Sequence, residues 1–216
     1  LPKGIKIGRF CLQRIDLGFV LEQAGVGAGQ SVLIYGAGRV GLLTALAAAA
    51  RGADVYVCDC NPTKLERAAP WLEALQIRSG VKAEGRAFDA ALNAAPAVET
   101  AMDGLPRLRA GGIFCLFSGL PGLAKVPAAL LNEVHYRQLQ MVGAYGCTRS
   151  QMQSALLLLA ENRALLPTLI ERRIRLAEVE AAFTEMQAGL SFSYVVIPSI
   201  DRSEERRVGK ECATGC

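Results

Sequence analysis

The chain has 216 residues, 51% of them hydrophobic and 20% charged, which is enough apolar material for a sizeable globular core. Its net charge of +4 is small and scattered, arguing against a nucleic-acid or membrane-surface partner, and no run approaches the ~18 apolar residues of a membrane-spanning helix. Seven cysteines make neither a C-x-x-C pair nor a four-cysteine cluster, so they read as free thiols in a reducing cytoplasm rather than as a disulfide frame or a structural zinc site.

The chain begins with Leu rather than Met, which suggests a start inside a longer protein. Lys3, Lys6 and Arg9 are not followed by an apolar stretch, so residues 1–10 are not a signal peptide. A helix is expected over residues 14–26, then a turn at 26–30. Residues 32–35 (V-L-I-Y) form an unbroken apolar run, as in a strand buried on both faces of a parallel sheet. Residues 42–51 are a strong helix former that Gly52 is placed to end, and residues 53–58 read as a second strand closing at Asp59. Asn61 and Pro62 suit the cap and first turn of a helix running to residue 69, where Pro70 is expected to kink or end it.

Residues 71–86 are ambiguous: a doubly wound sheet needs a strand here, and 81–83 are a poor candidate. Residues 88–93 are a better strand, followed by a helix near 97–108, a turn at 109–112 and a buried strand at 113–117. Residues 139–145 read as the sixth strand. Helices are expected at 151–162 and 178–189, and a last short strand at 194–197. Alternation of strands and helices makes this an α/β chain with a doubly wound parallel sheet of about six strands and helices on both faces, a Rossmann fold.

The strand–turn–helix over residues 31–51 contains G-A-G-R-V-G, in which each glycine has a physical task. Gly36 permits the tight turn, Gly38 lets a pyrophosphate approach the backbone, and Gly41 lets the helix pack closely on the strand. The free amides at the helix start and the positive end of its dipole then face the phosphates. Asp59 lies 23 residues after Gly36, near the spacing of the acid that binds the adenosine ribose.

Four patterns in order, G-A-G-R-V-G-L-L, C-D-C-N-P-T-K-L-E-R-A, L-N-E-V-H-Y-R-Q-L-Q-M-V-G-A-Y-G-C-T and L-P-T-L-I-E-R-R-I-R-L-A-E-V-E-A-A-F, resemble the coenzyme-binding domain of the medium-chain, zinc-type alcohol and polyol dehydrogenases. The resemblance covers residues 24–198 and implies an NAD site. Gly36, Gly38, Arg39, Val40 and Gly41 would hold the pyrophosphate through backbone amides. Asp59 would accept from the ribose hydroxyls, with Lys64 approaching the same ribose, and a carboxylate there favours NAD over NADP by repelling a 2′-phosphate. Residues 93–95 would lie by the adenosine, while Ser118, Gly119, Leu120, Ala144 and Tyr145 would hold the nicotinamide carboxamide.

The resemblance places the catalytic zinc ligands and proton relay in a separate, mostly N-terminal domain, so no catalytic residue or metal ligand is expected within this chain. Residues 1–25 are then the remnant of a junction with that domain, and 26–200 the dinucleotide-binding domain. The intact enzyme would be a cytoplasmic homo-oligomer, a dimer or tetramer, acting on a small alcohol or polyol, and the fragment alone would be inactive. Two other readings share the glycine motif: a nucleotide-sensing regulatory domain of the potassium-uptake type, and a zinc-free NADP reductase of the same superfamily. The V-G-A-Y-G and P-T-L-I segments favour the dehydrogenase over the first, and Asp59 favours it over the second.

Several conspicuous residues have ordinary explanations. His135 is the single histidine and cannot define a zinc site. Glu66 and Glu133 sit on expected helix faces as solvated charge, and Tyr145 is either a nicotinamide contact or a half-buried strand tyrosine. The run 171–175 (E-R-R-I-R) reads as an exposed strand or loop. The tail at 202–212, R-S-E-E-R-R-V-G-K-E-C, lacks any hydrophobic period and is expected to be disordered. It also resembles one translated frame of a common short-read sequencing adapter, which makes residues 201–216 a candidate non-native tail.

Overall fold

The computed structural model describes residues 17–85, 87–123, 125–187 and 193–197. The expectations for the junction before residue 17 and for the tail after residue 200 lie outside the described residues. The chain divides into two compact units, the first ending at Thr168 and the second beginning at Leu169.

The first unit is built on a six-stranded parallel sheet of order β3-β2-β1-β4-β5-β6. Its strands are β1 (Ser31–Tyr35), β2 (Asp54–Cys58), β3 (Arg78–Gly80), β4 (Phe88–Asn93), β5 (Leu108–Leu116) and β6 (Gln140–Gly143). Around it lie α1 (Leu17–Gln23), α2 (Arg39–Ala50), α3 (Pro62–Ala74), α4 (Glu99–Arg107), α5 (Ala128–Tyr136) and α6 (Arg149–Glu161). This is the Rossmann-like α/β fold expected from the sequence. Val32, Leu33 and Ile34 are fully buried, because β1 is central and covered on both faces. Leu33, Tyr35, Tyr56, Phe88, Leu105 and Phe114 join one core cluster that ties the sheet to α4. Strand order reverses between β1, which pairs with β2, and β4 on its other side, opening a crevice at the carboxyl ends of the strands.

Three local expectations are corrected. Of the two outcomes expected at Pro70, a kink or an end, the end is ruled out: helix α3 runs through it to Ala74. Pro70 lies on the exposed side, while Trp71 and Leu72, both buried, pack the next turn into the core, so tertiary burial outweighs the missing backbone donor. The strand needed between residues 71 and 86 is Arg78–Gly80 rather than 81–83. It is a polar three-residue edge strand without apolar alternation, paired with β2 and set against Tyr56, whose hydroxyl donates to the Lys82 carbonyl at 3.1 Å. Residues 109–112 are a bulge within β5 rather than a turn before it: Phe88 pairs with Leu108, but Ala90 pairs with Ile113.

At the opposite, amino-terminal edge of the sheet, Asp89 joins three strands. It accepts from the Ser31 amide at 2.7 Å and the Ser31 hydroxyl at 3.0 Å, and pairs with Arg109. In the second unit, β7 (Arg172–Ile174) and β8 (Tyr194–Val196) form a parallel pair, with α7 (Val179–Gln187) between them in sequence. The expected strand or loop at 171–175 is therefore β7. Among the described residues, no helix is long and apolar enough to cross a membrane.

Candidate functional site

Gly36 leaves β1 with φ of +110°, a conformation open to glycine, and its amide donates to the Cys58 carbonyl at 2.7 Å. A Cβ on Gly41 would lie 1.8 Å from the Gly36 carbonyl oxygen, so the first turn of α2 reaches the sheet only because residue 41 is glycine. Gly38 differs from both. Its φ is −80°, available to any residue, and a Cβ there would meet no protein atom within 4 Å. The space before α2 is therefore open. No side chain caps this helix, whose N-cap is Gly38 and whose first residues are Arg39, Val40 and Gly41. Their orphan amides and the positive end of the helix dipole face an anion-accepting position.

Asp59 follows β2 beside this turn and is almost fully buried, at 9% exposure. Its Oδ2 accepts from the Ala37 amide at 2.8 Å and its Oδ1 from the Asn61 amide at 2.9 Å. Asn61 in turn caps α3, accepting from the Thr63 amide at 3.0 Å, with Pro62 in the first turn as expected. An ionised carboxylate offers about four lone-pair positions, of which these two amide bonds occupy two. Lys64 stands in the first turn of α3, half-buried.

Asn93, fully buried at the end of β4, fastens the loop after β5. Its Oδ1 accepts from the Phe117 amide at 2.6 Å and the Ser118 amide at 3.1 Å, and its Nδ2 donates to the Ser118 carbonyl at 3.2 Å. Its side-chain amide is thus committed to the protein's own backbone. A cleft of about 480 Å³ then opens past the carboxyl ends of β5 and β6. Ser118, Gly119, Leu120, Ala144 and Tyr145 line it together, bringing into one place two loops that are far apart in sequence. Leu116, Phe117, Gly143 and Phe19 complete the lining. Phe19, from α1, was not singled out in the sequence, because nothing in its neighbourhood marks which face of a seven-residue helix turns toward β5.

Tyr145 is not a half-buried strand residue. Strand β6 ends at Gly143, and the tyrosine, 85% exposed, stands at the mouth of the cleft. Cys58 and Cys115 are buried, and burial pushes each thiol up to about 11, so both stay protonated at neutral pH. His135 is exposed, and its ring meets that of Tyr136 at a tilt of 57°, with centroids 4.9 Å apart. Among the described residues, no three His, Cys, Asp or Glu side chains gather as a metal-binding group.

Residues 4–105 match the family model described as the C-terminal domain of alanine dehydrogenase/PNT. The chain is 27% identical over 184 residues to D-xylulose reductase A of Aspergillus niger, covering 79% of this chain and 51% of that protein. It is 28% identical over 172 residues to D-altritol 5-dehydrogenase of Agrobacterium fabrum, covering 76% and 51%. It thus spans about half the length of the curated relatives it matches. Among solved structures, alcohol dehydrogenase from Thermotoga maritima superposes with a TM-score of 0.71 at 21% identity, over 85% of this chain and 55% of the other. A protein designated a zinc-binding dehydrogenase from Sinorhizobium meliloti 1021, solved bound to NADP, gives 0.71 at 24% identity, over 85% and 56%. The chain is thus similar in sequence to proteins named as polyol dehydrogenases and reductases, and it shares the Rossmann-like α/β fold of solved dehydrogenases.

Proposed function

We propose that this chain is the coenzyme-binding half of an NAD-dependent alcohol or polyol dehydrogenase. The observation that carries the reading is the pairing of an open glycine turn with a buried carboxylate. Gly36 and Gly41 are explained by the fold itself, whereas Gly38 answers to no protein atom and keeps clear the space that a pyrophosphate would fill. The amides of Arg39, Val40 and Gly41 would bind that pyrophosphate, Asp59 and Lys64 the adenosine ribose, and the Ser118–Tyr145 cleft the nicotinamide end. Since the Ser118 and Ala144 amides already donate within the protein, the main-chain groups of Gly119, Leu120 and Tyr145 are the better candidates for the carboxamide.

Bound NAD supplies the hydride acceptor for alcohol oxidation. This half binds and orients it, and the groups that polarise the alcohol, zinc among them, would belong to the other half of the intact enzyme. Buried, unpaired thiols at Cys58 and Cys115 suit a reducing cytoplasm. A carboxylate at position 59 sets NAD above NADP, since the 2′-phosphate would bring a second negative charge against a group with little access to water. Calorimetry of the chain with each coenzyme tests this: NAD binds at least about tenfold more tightly, and Asp59→Ala narrows the ratio. Equal affinities in the wild type would defeat the argument from Asp59.

A further inference from the structure

We infer that Asp59 is also a positioning residue, which holds the glycine turn in the shape that aims the first amides of α2 at the phosphates. The inference rests on the nucleotide-binding reading above and deepens it. Ala37, between the two glycines of the turn, is fully buried, so its amide cannot turn to water and must find an acceptor inside the protein. That acceptor is Asp59 Oδ2 at 2.8 Å. The other oxygen, Oδ1, takes the Asn61 amide at 2.9 Å, at the residue that caps α3. One carboxylate therefore ties the turn into α2 to the turn into α3.

Besides the bond from the Gly36 amide to the Cys58 carbonyl, the Asp59 carboxylate is what fastens the turn among the described residues. The glycines on either side of Ala37 leave the turn conformationally loose, and no side chain caps α2. An ionised acceptor makes stronger bonds than a neutral one, so the charge that would recognise the ribose also fixes the backbone that would receive the pyrophosphate. Ribose recognition alone would leave the coenzyme-free turn indifferent to residue 59. Positioning makes the turn depend on it before any ligand arrives.

Two measurements on the full chain separate these roles. In coenzyme-free protein, amide hydrogen exchange at Ala37 accelerates about tenfold or more in Asp59→Ala, while Val32, Leu33 and Ile34 keep wild-type rates. Asp59→Asn, which retains one acceptor oxygen, gives an intermediate rate. Unchanged exchange at Ala37, or equal acceleration through β1, overturns the inference. In binding, 2′,3′-dideoxy-ADP keeps the diphosphate but lacks the ribose diol. Asp59→Ala weakens this probe as well as ADP, with Asp59→Asn partly restoring it. If dideoxy-ADP binds Asp59→Ala as tightly as wild type, Asp59 serves the diol only and the inference fails. If wild type binds neither nucleotide, the coenzyme reading falls, and the exchange rates alone then decide the positioning role.

Discussion

A Cβ on Gly41 would sit 1.8 Å from the Gly36 carbonyl oxygen, whereas one on Gly38 would find only open space. Alanine at the two positions should therefore act through different quantities. Gly41→Ala forces α2 off the sheet and costs about 3 kcal/mol of stability in urea titration, the scale of an overpacked core. Gly38→Ala costs about 1 kcal/mol or less, the difference between glycine and alanine as an N-cap. Yet, on the proposed function, it should lower NAD affinity by at least about tenfold, because its methyl group would enter the space proposed for the pyrophosphate. Comparable losses of stability from both substitutions would show that Gly38 is kept for packing. At this scale the sequence was informative about residue identity but not about residue duty. G-A-G-R-V-G points to a glycine turn at a helix start, but only the fold separates the glycine left open from the two that packing demands.

Among the elements, the attachment of β1, β4 and β5 at the sheet's amino-terminal edge depends on Asp89. Burial alone would raise its pKa, but the Ser31 amide and hydroxyl, with Arg109, outweigh burial and hold it below the ordinary carboxylate value. A depressed folded pKa contributes stability above the unfolded value, which is lost as pH falls through the folded one. Asp89→Asn should accordingly cost about 1 kcal/mol near neutral pH, and the gap to wild type should close below pH ~4. A gap that persists to pH 2 would assign the effect to packing rather than charge. The strands most clearly legible in the sequence are those that bury apolar runs, β1, β2, β4 and the inner part of β5, although β6 and β8, which are far less buried, are legible too. Strand β3 was hidden because Arg78, Ser79 and Gly80 carry no apolar pattern and owe their place to β2 and Tyr56. The β5 bulge was hidden because Gly111 and Gly112 signal a turn and a bulge in the same way. Of the cleft, both loops were legible from family resemblance, but Phe19 arrives from a helix whose facing only tertiary packing decides.

For the whole molecule, coenzyme binding should appear as added stability. At a free NAD concentration about a hundred times its Kd, the native state gains ~2.7 kcal/mol, which raises the unfolding midpoint of a chain this size by about 5–10 °C. NADP at the same concentration should raise it less. Differential scanning calorimetry with both coenzymes checks this, and an NAD-independent midpoint would count against the proposed function.

The switch point that opens the crevice also sets the order in which the molecule can be assembled. Strand β1 meets β2 after a short helical crossover, but its other neighbour is β4, so that Val32 must find Ala90 across 58 residues of chain. Closing so long a loop spends chain entropy before any contact rewards it, which slows folding of parallel sheets. The glycine turn can form early with β1, α2 and β2, on contacts close in sequence. The wall that β4 and Asn93 give the crevice comes only with that distant pairing. A nascent or refolding chain should therefore hold the glycine turn some time before it holds the whole crevice, and, on the proposed function, the capacity to bind NAD should return in step with the slowest phase of refolding.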